Sequence, residues 1–183
     1  DVVMITLGTG VGGGIIRGGK IVAGTNGAAG EIGHMPMIDD ESECCGCGKK
    51  GCLEQYASAN GLVNVAEKYI AAHRTVETEL DLNAGFTAKD VCDAAKAGDK
   101  AGLAAVEESM RLLGKAMASV SCVIDPQVFV VGGGLSKAGN IIIDTASKYY
   151  KEYAFHASRE TEIKLATLGN AAGMYGGVKM VIG

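Results

Sequence analysis

Apolar positions along the chain change period several times, and each change marks an element. Val2 to Leu7 is an unbroken apolar run of strand length and reads as a buried strand. A glycine-rich stretch, Gly8 to Gly14, follows it. Ile15 to Val22 then reads as a second strand, a Gly18-Gly19 turn and a returning third strand. From Leu53 to Ala59 the pattern is helical, and Gly61 to Arg74 continues as an amphipathic helix carrying Leu62, Val65, Ala66, Tyr69 and Ile70. Thr75 to Phe86 is polar and aperiodic, which predicts a surface connection. Thr87-Ala88-Lys89-Asp90 has the form of a capping box and opens a short helix to about Ala97.

Asp99 is placed to cap the next helix. Leu103, Val106, Met110, Leu113, Met117, Val120 and Ile124 recur every three or four residues, so one long helix with an apolar stripe runs up to Pro126. Val128 to Val131 reads as another buried strand and enters Gly132-Gly133-Gly134. A helix over 140–153, an alternating strand over 162–168 and a helix of small residues complete the chain. Strands interleaved with helices predict an α/β fold.

Chemistry concentrates in Gly30 to Glu54. Glu31 and His34 stand three apart, and Cys44, Cys45, Cys47 and Cys52 fall within nine residues. Thiolates and an imidazole are the ligand set zinc prefers, and a closed tetrahedral site needs four donors. Cys45 and Cys47 are too close for an ordinary disulfide. Their spacing, with Gly48, Gly51 and Cys52, suits a tight metal-binding knuckle. Five donors compete for four positions, and Cys45, Cys47 and Cys52 frame the tighter motif, which leaves Cys44 out. Cys92 and Cys122 fall in helical stretches and are expected to be buried thiols. Six cysteines without a visible secretory signal suit a reducing cytoplasm and a metal site better than a disulfide framework.

Two glycine motifs need chemistry of another kind. Gly8-Thr9-Gly10-Val11-Gly12-Gly13 contains GxGxxG, but a dinucleotide fingerprint requires a helix to open at the glycines, and a strand is predicted instead. Gly14 to Lys20 fails as a Walker A loop because Ile21 stands where Ser or Thr is required. A strand, a glycine turn and a returning strand can cradle phosphate through backbone N–H groups, with the Thr9 hydroxyl as a further donor. A strand running into Gly132-Gly133-Gly134 lets a nucleotide approach the backbone in the same way. His73 and His156 lack sequence partners and are read as surface residues.

The run Cys45-Gly46-Cys47-Gly48-Lys49-Lys50-Gly51-Cys52-Leu53-Glu54, preceded by Glu31-Ile32-Gly33-His34, resembles the signature of the ROK family (repressors, open reading frames and sugar kinases). The resemblance implies an actin-like, ribonuclease H-like ATPase domain, a mixed sheet flanked by helices with a zinc knuckle. It implies His34, Cys45, Cys47 and Cys52 as ligands of a structural Zn²⁺, and Glu31, His34 and Glu54 as contacts to sugar hydroxyls. It further implies ATP with Mg²⁺ held by Gly8, Thr9, Gly10 and Gly12, and adenosine beside Gly133 and Gly134. The expected reaction is transfer of phosphate from ATP to a hexose, glucose first, because Gly24-Thr25-Asn26-Gly27-Ala28-Ala29-Gly30-Glu31 resembles the glucokinase approach. Kinases of N-acetylmannosamine, N-acetylglucosamine and fructose are alternatives. A sugar-sensing repressor with an upstream DNA-binding element is another, and an independent zinc-dependent binding module a third.

Composition narrows the classes. A net charge of −4 gives no basic footprint for nucleic acid. No apolar run approaches the ~20 residues of a membrane span. The chain lacks an Asn-Asp pair, which in such kinases supplies the base, and an Asp-x-Gly-x-Thr phosphate loop. Asp1 opens almost directly on a strand. The resemblance therefore covers residues 1–183 as the C-terminal lobe of a two-lobed, cytoplasmic and homodimeric kinase. The isolated lobe is expected to be inactive, with an exposed apolar patch where the N-terminal lobe would pack.

Overall fold

The computed structural model describes residues 1–182, and the side chains of all of these except residues 170 and 180–182. Five strands form one mixed sheet: β1 (Val2–Leu7), β2 (Val11–Arg17), β3 (Lys20–Ile21), β4 (Val128–Gly132) and β5 (Glu162–Leu165), in the order β3-β2-β1-β4-β5. β1 to β3 form an antiparallel meander, with Leu7 paired to Val11 and Val2 to Ile16. β4 then adds parallel to β1, with Val2 opposite Val128, and β5 parallel to β4. This mixed sheet with its helices is the predicted α/β architecture.

The apolar runs of β1 and β4 suggested burial on both faces. Only one face is fully packed. Val3, Ile5, Leu7, Phe129 and Val131 are buried in the main core, whereas Val2, Met4, Val128 and Val130 on the opposite face are half-buried. Side chains alternate across a strand, so the chain supplies apolar residues to both faces while one set of helices covers one of them. Phe129 meets the Tyr150 ring edge-on at 5.6 Å between centroids. The buried Tyr150 hydroxyl donates to the Ser158 carbonyl at 2.6 Å, so no polar group is orphaned there.

The helices are α1 (Glu54–Ala57), α2 (Ala59–Ala72), α3 (Ala88–Lys96), α4 (Lys100–Ile124), α5 (Asn140–Tyr153) and α6 (Ala172–Ile182). Their starts follow the sequence signals. Ser58 accepts from the Gly61 N–H at 2.9 Å and caps α2. Thr87 and Asp90 form the reciprocal capping box of α3. Asp99 caps α4 through the Gly102 N–H at 2.9 Å and also holds the Thr78 hydroxyl and the Glu79 N–H.

α4 is the axis of the helical layer, packing against α2, α3 and α5. Its burial is wider than the predicted stripe. Ala101, Ala105, Leu112 and Ala116 are buried as well, while Leu103, the first residue of that stripe, is exposed. A helix with neighbours on three sides buries more than one face, and its small residues permit the close approach. The helix stops one turn-residue before Pro126, at Asp125 in the left-handed conformation (φ 48°). Thr75 to Phe86 has no regular element, but it is more than a surface connection: Leu80 is buried and Phe86 packs on the core. Cys92 is buried as expected, and Cys122 is exposed.

β5 is shorter than predicted, ending at Leu165. On α6, Met174, Tyr175 and Val178 are exposed, as is Leu168 just before it. Among the described residues, no helix is long and apolar enough to cross a membrane.

Candidate nucleotide and sugar site

The parallel pairing of β1 and β4 brings two distant glycine motifs side by side. Both strands end at the same edge of the sheet, where ligands bind in open α/β folds. The β1–β2 turn is Gly8-Thr9-Gly10, and the Gly8 carbonyl accepts from the Ala59 N–H at 2.7 Å. Gly133 follows β4 at φ 92°, and a Cβ there would stand 2.5 Å from the Leu7 carbonyl oxygen. Glycine is therefore required both by the backbone conformation and by the approach to β1.

Of the predicted phosphate-side residues, Gly8, Thr9 and Gly10 form the turn itself. Gly12 lies inside β2, opposite Thr6, so the second half of the GxGxxG pattern is strand. The same strand confirms the absence of a dinucleotide-type helix.

Gly8, Thr9 and Gly134 open onto a cavity of about 930 Å³. Its far walls are Asn60, Val63 and Asn64 of α2, Phe86, and Cys92 and Lys96 of α3. The volume suits a nucleotide-sized molecule. These wall residues were not legible in the sequence. They stand far from either glycine motif, and helical positions of ordinary residue type carry no signal of the cavity they will line. Burial pushes the Cys92 thiol up to about 11, so it is a neutral, inert wall group at neutral pH.

On the other side of the β1–β2 turn lies the knuckle. His34 ends a short 3-10 turn, Ile32–His34. Single bridges pair Pro36 with Cys52 and Cys44 with Lys50, folding the loop back on itself. This brings His34, Cys45, Cys47 and Cys52 together, with all four ligand atoms within 4.8 Å of one another. Cys45 Sγ lies 3.7 Å from His34 Nδ1, and Cys47 Sγ lies 3.6 Å from Cys52 Sγ. A tetrahedron built on ordinary Zn–S and Zn–N bond lengths has edges of about 3.6–3.8 Å, so the donor set fits a zinc ion. Cys44 is exposed and stands outside the cluster. The four residues can therefore hold a tetrahedral metal with no open position.

The cysteines differ in surroundings. Burial pushes Cys52 up to about 12, whereas the Lys49 N–H hydrogen bond lowers Cys47. Glu41 anchors the loop to the helices from outside the cluster. Its carboxylate accepts from the Tyr56 hydroxyl at 2.5 Å and pairs with Lys68 Nζ at 3.2 Å.

The three sugar-side candidates lie around this knuckle. His34 turns Nδ1 toward Cys45 and leaves Nε2 facing Glu31 Oε2 at 4.0 Å. The Glu31 side chain is 63% exposed and so is free to accept from a ligand. Glu54 opens α1 and is half-buried; its Oε2 accepts from the Val11 N–H at 3.0 Å. One turn, Gly8 to Val11, thus has the cavity on one side and these groups on the other. His73 is exposed and stacked on Tyr69, and His156 is exposed beside Phe155.

A mixed sheet of this order, with two glycine turns at one edge and a cluster of three cysteines and a histidine beside them, defines the fold class as an actin-like α/β domain. The ROK family model matches residues 1–183, and the chain belongs to the ROK family. It is 42% identical over 180 residues to a glucokinase of Halalkalibacterium halodurans, covering 97% of this chain and 54% of that protein. It is 35% identical over 158 residues to an N-acetylmannosamine kinase of Escherichia coli, covering 85% and 49%. It superposes on the crystal structure of a ROK family glucokinase from Streptomyces griseus in complex with glucose and AMPPNP. That match has a TM-score of 0.85 and 34% identity, covering 98% of this chain and 60% of the other. The chain spans about half the length of the curated relatives it matches.

Proposed function

We propose that this chain is the C-terminal lobe of an ATP-dependent hexose kinase, with glucose as the preferred acceptor and glucose 6-phosphate as the product. The observation that carries the reading is the convergence of two glycine turns and a 930 Å³ cavity on one side of Gly8–Val11, with Glu31, His34 and Glu54 on the other. Such a turn is where a terminal phosphate would pass from nucleotide to sugar. Its similarity to glucokinases supports the sugar class.

The residues divide the work. Backbone N–H groups at Gly8–Gly10 and the exposed Thr9 hydroxyl donate to phosphate oxygens, and Mg²⁺ carried with ATP neutralises charge developing on them. The base and ribose occupy the cavity beside Gly134, between α2 and α3. Glu31 accepts from sugar hydroxyls, and His34 Nε2–H donates while its Nδ1, which faces Cys45, would hold the metal, so a single ring would join knuckle to substrate. His34, Cys45, Cys47 and Cys52 would hold a structural zinc, which would fix the loop that bears these groups. The base that accepts the sugar hydroxyl proton belongs to the N-terminal lobe, so residues 1–183 alone bind but do not turn over.

A coupled ADP-release assay of the intact enzyme on glucose, N-acetylmannosamine, N-acetylglucosamine and fructose tests this reading. Turnover on glucose with a rise of roughly a hundredfold in sugar KM for Glu31→Ala supports it. Failure to turn over any of the four sugars, with sugar still binding, overturns it in favour of the sugar-sensing repressor. N-acetylmannosamine is the second candidate acceptor, favoured by the 35% identity to the kinase of that sugar.

A further inference from the structure

We propose that Glu54 is a positioning residue that clamps the phosphate-side turn to the metal knuckle, so that metal binding sets the shape of Gly8–Val11. The proposal rests on the functional reading above for its catalytic consequence, but its structural content stands apart from it.

Several contacts converge on the turn from Gly8 to Val11. Glu54 lies two residues beyond Cys52 and begins α1. Its Oε2 accepts from the Val11 N–H at 3.0 Å, while its Oε1 lies 3.7 Å from Cys45 Sγ. One carboxylate thus holds the turn with one oxygen and faces the knuckle with the other; a metal-bound Cys45 thiolate has no proton to donate, so the link to a loaded knuckle runs through the short backbone from Cys52 to Glu54. Gly10 makes room for it: a Cβ at that position would fall 2.1 Å from Glu54 Oε2. On the opposite side, the Val11 carbonyl presses on Gly33, where a Cβ would stand 2.1 Å from the oxygen. Val11 is therefore held between Glu54, two residues beyond Cys52, and Gly33, next to His34, and both of those neighbours are candidate metal ligands. The Gly8 end is fixed by the Ala59 N–H, just past the end of α1. Glu54 at the start of α1 and Ala59 at the start of α2 thus hold the two ends of the turn.

A hydrogen bond to a charged acceptor, half-buried, is among the stronger local restraints available. It gives the knuckle a route to the phosphates that does not pass through the sugar. A carboxylate serving only sugar hydroxyls would have no need of Val11 or of a glycine at position 10.

The test is amide hydrogen exchange at Val11, read by NMR in the purified protein with and without a zinc chelator. Glu54→Ala is expected to speed Val11 exchange roughly tenfold or more, and Glu54→Gln, whose amide oxygen still accepts from Val11, to keep it slow. Chelation is expected to speed exchange in the parent and to add little in Glu54→Ala. Gly10→Ala pushes the carboxylate away from the other side and is expected to reproduce the rise with Glu54 intact, so the idea remains testable if Glu54→Ala folds poorly. In the active enzyme, Glu54→Ala is expected to raise KM for ATP at least tenfold, with Glu54→Gln restoring most of it. Unchanged Val11 exchange in Glu54→Ala, with both variants altering only the sugar KM, would overturn the clamp and leave the kinase reading standing. Fast exchange in an enzyme that phosphorylates no sugar would keep the clamp and sink the kinase reading.

Discussion

Gly133 and Leu7 lie so close that the Leu7 carbonyl oxygen occupies the space a Gly133 side chain would need. The contact welds the end of β4 to the end of β1 and sets the two glycine turns at a fixed spacing. It depends on a backbone conformation, φ 92°, that side-chain-bearing residues adopt only with strain.

Gly133→Ala should therefore destabilise the protein by about 2 kcal/mol or more, from strain plus the steric conflict with Leu7. Urea denaturation would read the loss as a lower midpoint at unchanged slope. The variant should also weaken nucleotide binding, because the cavity mouth at Gly134 moves with it.

Metal content separates the knuckle from a set of chance thiols. The purified protein should carry about one zinc per chain, by elemental analysis, and Cys52→Ser should lose it. Because the four donors come from a loop with little regular secondary structure, metal removal should lower the melting temperature as well as the metal count. Cys44→Ser should change neither, since Cys44 stands outside the cluster. Retention of zinc by Cys52→Ser would contradict the tetrahedral assignment.

Glu41 predicts an acid limb of stability. Its hydrogen bonds from Tyr56 first, then from the Glu43 N–H, and its pairing with Lys68 lower its pKa from the ordinary 4.5 to about 2. The folded state thus binds the proton less readily than the unfolded state. The stability this supplies is complete above about pH 4.5 and is lost as pH falls from there toward 2. Glu41→Gln should be less stable at pH 7 and should flatten the pH dependence over that window, measured by denaturant midpoints at a series of pH values. Parallel curves for the two proteins would show that the network contributes nothing.

Asp99 holds three donors at once, Gly102 N–H, Thr78 hydroxyl and Glu79 N–H, at 2.9–3.0 Å. Asp99→Ala removes the cap of the longest helix together with the tether of the 75–86 segment. A loss of about 1–2 kcal/mol is expected. Proteolysis should also become faster within 75–86 than elsewhere, and uniform cleavage along the chain would argue against the tether.

Local chemistry was legible wherever the cause is local. Thr87 and Asp90 start α3, Asp99 starts α4, and the apolar run from Val2 makes β1, because each depends on the nearest few residues or on strand period. The cluster of His34, Cys45, Cys47 and Cys52 could be proposed in advance because few other demands place those residue types at that spacing. What tertiary structure alone decided is what meets across the sheet and around it. Parallel pairing of β1 with β4 carried Gly133 to Leu7 across more than a hundred residues, and nothing in either stretch names the other. The walls supplied by Asn64, Phe86 and Lys96 arise from how three segments pack, and ordinary residues take part in packing without a distinctive pattern. Burial of Leu80 in an aperiodic stretch follows from the Asp99 tether. Glu54 shows the division most clearly. The sequence by itself marked a carboxylate closing a cysteine motif, while only the folded chain placed Val11 and Gly10 against it, because hydrogen-bond partners 43 residues apart are chosen by the fold.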